Sequence, residues 1–185
     1  MRILGLSGSL RRDSHNTRLL RAAANLLPPG VELEIVDGLG AIPPYNEDDD
    51  RDVAPAVAAD LRRAVAGADA VLIATPEYNG SIPGQLKNVL DWLSRPFPEN
   101  ALRNKPVAVI GASTGLFGAV WAQAEVRKVL KTIGARVVES ELPVSKALEA
   151  FADDETLMDA NLHRQLQEVV DALVEEVEVR RRLAA

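Results

Sequence analysis

Apolar residues arrive along this chain in two rhythms. Three bursts are continuous: Ile3-Leu4-Gly5-Leu6, Ala70-Val71-Leu72-Ile73-Ala74 and Val107-Ala108-Val109-Ile110. Runs of this kind mark parallel strands covered on both faces. Val31, Leu33 and Ile35 instead alternate with Glu32 and Glu34, the pattern of an edge strand with one dry face. Ala135 to Leu142 reads as a short, partly polar strand. Between these, apolar residues every three or four positions predict helices over 16–27 (Leu19, Leu20, Ala23, Leu27), 54–66 (Val57, Leu61, Val65), 83–94 (Leu86, Val89, Leu90, Leu93), 118–133 and about 156–182. Five strands alternating with five helices predict an α/β three-layer sandwich, a five-stranded parallel sheet with right-handed crossovers covering both faces. Placing the two charged strands, the second and fifth, at the edges orders the sheet 2-1-3-4-5. No repeat or linker divides the chain, so residues 1–185 read as one domain.

Composition narrows the chemistry. A chain of 185 residues, 47% hydrophobic and 26% charged, can bury a real core and is not a disordered segment. It has no cysteine, which removes disulfides, thiolate metal sites, iron–sulfur clusters and a cysteine nucleophile, and its two histidines leave little for a metal site. A net charge of −6 argues against coating nucleic acid. No window of 18 apolar residues predicts a membrane span, and Met1-Arg2-Ile3-Leu4-Gly5-Leu6-Ser7 lacks a leader's long apolar stretch. The expectation is a soluble, cytoplasmic protein with neither a nucleic-acid nor a membrane partner. Asp48, Asp50 and Asp52 imitate the first half of a calcium loop, but Val53 stands where glycine is needed and Ala59 where glutamate is needed. The acid cluster therefore reads as a solvated run before a helix, and no metal site is expected.

In an open parallel sheet ligands bind beyond the carboxyl ends of the strands, at the switch point between strands one and three. Three loops of unusual composition emerge there. Ser7-Gly8-Ser9-Leu10-Arg11-Arg12-Asp13-Ser14-His15-Asn16-Thr17 runs from a strand into a helix. Its hydroxyls, its amide and the Arg11 guanidinium fall beside a helix N-terminus, whose free N–H groups attract an anion. It contains neither G-x-x-x-x-G-K-[ST] nor G-x-G-x-x-G, which disfavours a P-loop nucleotidase or a Rossmann dinucleotide fold. Ser14 or Asn16 can cap the same helix without excluding an anion, and His15 is expected to face solvent. The second loop, Thr75-Pro76-Glu77-Tyr78-Asn79-Gly80-Ser81-Ile82-Pro83-Gly84, is stiffened by prolines and gives a flat ring backbone N–H groups and the face of Tyr78. The third, Gly111-Ala112-Ser113-Thr114-Gly115-Leu116-Phe117-Gly118, is rich in small residues and is a weak signal by itself.

Together these residues resemble the NADPH-dependent FMN reductase family, the flavodoxin-like group that includes bacterial chromate and quinone reductases and relatives of some azoreductases. The resemblance runs through Gly8–Thr17, through Pro44-Tyr45-Asn46-Glu47-Asp48, through the longer signature Pro76–Trp92 and through Gly111–Gly115. It implies a flavodoxin-like fold and noncovalent FMN. Carried over by position, Ser9, Arg11, Ser14, Asn16 and Thr17 would hold the FMN phosphate. Pro76, Glu77, Tyr78, Asn79 and Gly80 would line the isoalloxazine, with Ser113 and Gly115 on the other side. NADPH or NADH would be the co-substrate, and the acceptor a quinone, free flavin, azo compound or metal oxyanion such as chromate. The flavin would carry the chemistry, so no catalytic side chain is expected, and one site used in turn implies ping-pong kinetics. A homodimer or homotetramer is implied too. Trp92, Phe97, Phe117 and Trp121 either border its interface or pack internally, and Asn88 and Asp91 are expected to serve structure or a subunit contact. Two other readings of the same loops remain open: a flavodoxin-type electron carrier, and a non-redox module that binds another phosphorylated ligand.

Overall fold

Leu4, Leu6, Val71, Ile73, Val107 and Val109 bury on one side of the sheet, and Ile3, Ala70, Leu72, Ala74, Ala108 and Ile110 on the other. The continuous apolar runs are thus two alternating sets, one for each core. The computed structural model describes residues 1–51 and 54–184. The strands are β1 (Arg2–Ser7), β2 (Glu32–Ile35), β3 (Ala70–Thr75), β4 (Pro106–Ala112), β5 (Arg136–Val137) and β6 (Pro143–Val144). The helices are α1 (His15–Ala24), α2 (Ala56–Gly67), α3 (Gly84–Leu93), α4 (Val120–Ile133) and α5 (Ala160–Ala184). All pairings are parallel, in the order β2-β1-β3-β4-β5, with β6 also on β4. Helices α1 and α5 cover one face and α2, α3 and α4 the other.

The order is the one that the hydrophobic pattern requires, but two short strands replace the single expected fifth strand. β5 pairs with the start of β4 and β6 with its end. Between them Glu139 and Glu141 reach out to Lys131 and Arg127 on α4. Leu142 stays buried, and the Gln123 carboxamide serves both its backbone groups (3.3 Å to N, 3.2 Å to O).

Three helix boundaries also shift. α1 stops at Ala24, three residues early, where Asn25 caps it. α4 begins at Val120 because Gly118 and Ala119 are left-handed (φ 57° and 61°). A Cβ on Gly118 would lie 2.3 Å from the Pro143 carbonyl carbon, so only glycine passes beside β6 there. α5 starts at Ala160, where the Asp159 carboxylate accepts from the N–H groups of Asn161 (2.7 Å) and Leu162 (3.1 Å).

The acid cluster before α2 is not wholly solvated. The Asp50 side chain is only 7% exposed and takes a bidentate bond from Arg62 (2.7 and 2.8 Å), whose guanidinium lies over the Trp92 ring at 5.4 Å. Asp52 and Val53 of the calcium-like pattern lie outside the described residues. At the opposite end of the strands from the three loops, the buried Lys105 ammonium donates to the carbonyls of Ala66 (3.1 Å) and Ala68 at the end of α2. Burial, and then the nearby Arg180 charge, lower its pKa to about 8 against a smaller pull from Asp69.

Candidate functional site

Strands β1, β3 and β4 lie side by side and end level, with Ser7 opposite Ala74 and Thr75 opposite Gly111. The three loops therefore leave the sheet as neighbours. The Gly8 N–H donates to the Ala74 carbonyl at 2.8 Å, joining the first loop to the root of the second.

In the first loop Thr17 Oγ1 donates to Ser7 Oγ (3.0 Å), and Ser9 Oγ accepts from the Arg11 N–H (3.4 Å). Ser14 is the N-cap of α1, its buried Oγ accepting from the amides of Asn16 (3.2 Å) and Thr17 (3.3 Å). The amides of Arg12, Asp13 and His15 have no acceptor among the described residues. Arg11 and Arg12 are exposed beside them; the Arg11 guanidinium donates to the Asp13 carbonyl (3.3 Å), and the Arg12 guanidinium has no partner among the described residues. Free amides and the positive end of a ten-residue helix lie together with two arginines beside them, an environment that favours a dianion. A cleft of about 360 Å³ runs alongside, lined by Ser7, Ser9, Thr17 and the two arginines on one side and Asp37 on the other.

Asn16 does not offer its side chain to that cleft. It is buried, and its carboxamide donates to the Ala112 carbonyl and accepts from the Ala112 N–H, both at 3.0 Å. It extends the sheet's hydrogen bonding past the end of β3 and ties the first loop to the root of the third. His15, expected in solvent, is turned inward. Its ring stacks on Phe151 (6.4 Å between centroids, 7° between planes), and neither ring nitrogen finds a partner or solvent. Burial first, and then the Arg11 and Arg18 charges, hold its pKa below the ordinary histidine value.

The second loop folds as a miniature β-hairpin. Tyr78 and Ser81 exchange both backbone bonds (3.0 and 3.1 Å) around Asn79 and Gly80, which are both left-handed (φ 55° and 75°). That is the type I′ turn, which Asn-Gly suits better than almost any other pair. The turn leaves Tyr78 exposed and the amides of Glu77, Asn79 and Gly80 without acceptors among the described residues. The Glu77 carboxylate points elsewhere, accepting from the amides of Trp121 (3.1 Å) and Ala122 (3.2 Å) at the head of α4. In the third loop Ser113 is braced on both sides, its N–H bonding the Val144 carbonyl (3.0 Å) and its carbonyl the Ala147 N–H (3.0 Å). The Thr114 and Gly115 amides are open among the described residues. A second cleft, about 380 Å³, lies between α3, the segment that follows it and the C-terminal half of α4.

The chain is similar to known proteins in sequence and in fold. Residues 1–149 match the family model described as NADPH-dependent FMN reductase. The chain belongs to the NADPH-dependent FMN reductase family. Among its relatives is an NAD(P)H-dependent FMN reductase of Pseudomonas aeruginosa, 40% identical over 94% of this chain and 93% of that protein. Another is a 2-hydroxy-1,4-benzoquinone reductase of a Burkholderia species, 46% identical over 70% of this chain and 69% of that one. A solved structure, the flavoenzyme NAD(P)H:(acceptor) oxidoreductase FerB of Paracoccus denitrificans, superposes with a TM-score of 0.84 at 37% identity, covering 96% of this chain and 97% of that one.

Within this FMN reductase family member the helical half of the signature works as a brace. Asn88 accepts from the Tyr45 N–H (2.7 Å) and donates to the Pro43 carbonyl (2.8 Å). Trp92 Nε1 donates to the same carbonyl (2.8 Å), and Gln85 donates to the carbonyls of Leu39 (2.6 Å) and Ile42 (3.0 Å). Trp92 is fully buried and takes no part in any subunit border, whereas Phe97, Phe117 and Trp121 are exposed. Asp91 pairs with Lys87 at 2.6 Å. Two residues that organise the site were not among the sequence candidates. Glu125 accepts from Ser81 Oγ (2.6 Å) and the Ile82 N–H (3.3 Å), and Gln123 holds the Gly118 carbonyl (3.0 Å). Both lie on α4, more than 40 residues after the hairpin, where no local signal announces them.

Proposed function

We propose that the chain is an NAD(P)H oxidoreductase that holds FMN noncovalently across the three loops and passes electrons to a small-molecule acceptor of the quinone class. The observation that carries this reading is the set of free amides at Arg12, Asp13 and His15, flanked by two exposed arginines at the head of α1. It suits a phosphate dianion and has no other claimant among the described residues. The names of the relatives, FMN reductase and quinone reductases, favour an enzyme over an electron carrier or a non-redox module. FMN bound here would supply hydride acceptance from the nicotinamide and electron delivery to the acceptor.

The chain's own residues bind and orient. Ser9, Arg11 and Thr17 would face the phosphate directly, with Ser14 and Asn16 shaping the loop from inside. The open amides of Glu77, Asn79 and Gly80 would meet the polar edge of the ring, Pro76 and Tyr78 its face, and Ser113 and Gly115 its far side. Fixed amides need no reordering when a flat ligand arrives, which lowers the cost of binding. The exposed Phe117 and Trp121, 4.9 Å apart beside the third loop, together with Phe97, support a homodimer or homotetramer. The NAD(P)H requirement supports a cytoplasmic location, and the whole of 1–185 acts as one flavin-binding domain in this reading. No helix among the described residues is long and apolar enough to cross a membrane.

The test is an absorption spectrum of the purified protein with FMN, before and after anaerobic NADPH and NADH. Bound flavin that bleaches with either nucleotide supports the assignment, and parallel double-reciprocal lines with a quinone support a single shared site. Protein that fails to take up FMN overturns it.

A further inference from the structure

Helix α4 lacks a cap of its own. Its N-cap residue, Ala119, is left-handed and offers no side-chain acceptor, so the first-turn amides must be satisfied from outside the helix. The acceptor is Glu77, from a loop more than 40 residues earlier, and its charge also suits the positive helix end. Glu125 answers from α4 itself, accepting from Ser81 and Ile82 on the far side of the hairpin. Trp121 and Ala122 lie four and three residues before Glu125, one turn of α4 away. The two carboxylates therefore cross in opposite directions, one from loop to helix and one from helix to loop, with the Tyr78–Ser81 hairpin fixed between them. Neither occupies the open amides that the ring would use.

We infer that Glu77 and Glu125 are positioning residues, a reciprocal clamp that sets the hairpin against α4 and so fixes the slot between the second and third loops where the flavin ring lies. The inference rests on the FMN reading for the occupant of the slot, but not for the clamp itself. One carboxylate alone leaves the hairpin free to pivot, so either deletion suffices to misplace it, and the second deletion adds little. The clamp acts through hydrogen-bond acceptance. A glutamine at position 77 retains an acceptor oxygen for the same two amides. The phosphate end of the site belongs to a different loop and is untouched.

The experiment compares wild type with E77A, E125A, the double variant and E77Q. Amide hydrogen exchange on the apoprotein reads the hairpin, FMN fluorescence quenching reads the whole site, and competition by inorganic phosphate reads the first loop alone. In E77A and E125A the Tyr78, Ser81 and Ile82 amides are expected to exchange faster, and FMN affinity to fall about tenfold, the size of one or two lost hydrogen bonds. Phosphate affinity should stay within twofold of wild type, the double variant should lose far less than a hundredfold, and E77Q should keep both FMN affinity and hairpin protection. A parallel loss of phosphate affinity would mean general loosening and overturn the clamp. So would E77Q failing as badly as E77A, or alanine variants with unchanged hairpin exchange. Wild-type protein that binds no FMN overturns the FMN reading alone, because the apoprotein exchange still decides whether the clamp exists.

Discussion

Asn16 gives the sharpest forecast about how the site is built. Replacing it with alanine removes two 3.0 Å hydrogen bonds and leaves the N–H and C=O of Ala112 facing a gap where both had partners. The residue is 3% exposed, so bulk water does not reach the pair freely. Each orphaned buried group costs about 1–3 kcal/mol. The two together, less what one trapped water restores, amount to about 3 kcal/mol of unfolding free energy. Urea unfolding of the apoprotein reads this directly. With a slope of about 2 kcal/mol/M the midpoint falls by about 1.5 M. Asn16→Asp is the control. It keeps an acceptor for the Ala112 N–H but turns a carboxylate oxygen toward the Ala112 carbonyl, so it should be no better than alanine and should worsen as pH rises through the carboxyl pKa. A loss below about 1 kcal/mol in Asn16→Ala at unchanged slope would refute the reasoning and show that the carboxamide is replaceable by solvent.

Three further outcomes are expected. Gly118→Ala forces a Cβ against the Pro143 backbone at 2.3 Å and strains a left-handed φ, so it should cost about 3 kcal/mol and lower the melting temperature by about 10 °C; a melt unchanged to within a couple of degrees would contradict the close approach. Lys105 has a folded pKa of about 8 against 10.5 in the reference state, so the folded protein sheds this proton first and its stability rises from pH 8 to 10.5, and is lost again as pH falls through 8. The gap between wild type and Lys105→Met should shift by about 3 kcal/mol across that window, and a pH-independent gap would rule the buried ammonium out. His15 also has a depressed pKa, so its contribution is present above pH 6.5 and lost as pH falls through the folded value. His15→Phe should keep the stack on Phe151, gain about 1 kcal/mol at neutral pH by deleting two unpartnered nitrogens, and flatten the acid limb of the stability profile.

Much of this was legible in the chain because it depends on near neighbours. The apolar runs at 3–6, 70–74 and 107–110 name strands buried on both faces, and the charges of the second and last strands send them to the edges. The Gly8–Thr17 loop could be read as a candidate anion site because a helix N-terminus and its capping hydroxyls are contiguous in sequence. What stayed hidden depends on distant partners. Asn16 looks like a ligand contact until Ala112, 96 residues later, is seen to hold its carboxamide. Glu77 sits inside the most recognisable motif of the chain, yet its side chain answers to the head of α4. His15 faces inward because Phe151 lies over it, and no periodicity near either residue foretells that meeting. The split of the last strand, with Glu139 and Glu141 paired to α4 between its halves, likewise depends on a partner that a propensity scan does not register.

The broken last strand also bears on how molecules of this protein avoid one another. An open sheet has two flanks, each a row of unpaired amides and carbonyls able to recruit a strand from another chain. On one flank β2 is four residues long and carries the exposed Glu32 and Glu34, so a second copy would meet like charge. On the other, β5 offers two residues before the chain turns away through Glu139 and Glu141, and β6 resumes at Pro143, which has no N–H to donate. Neither flank presents a long, flat, uncharged template. A continuous strand from 135 to 142, the simpler design, would have offered a longer row of unpaired backbone groups, and the interruption adds to its charges in guarding the sheet against edge-to-edge pairing.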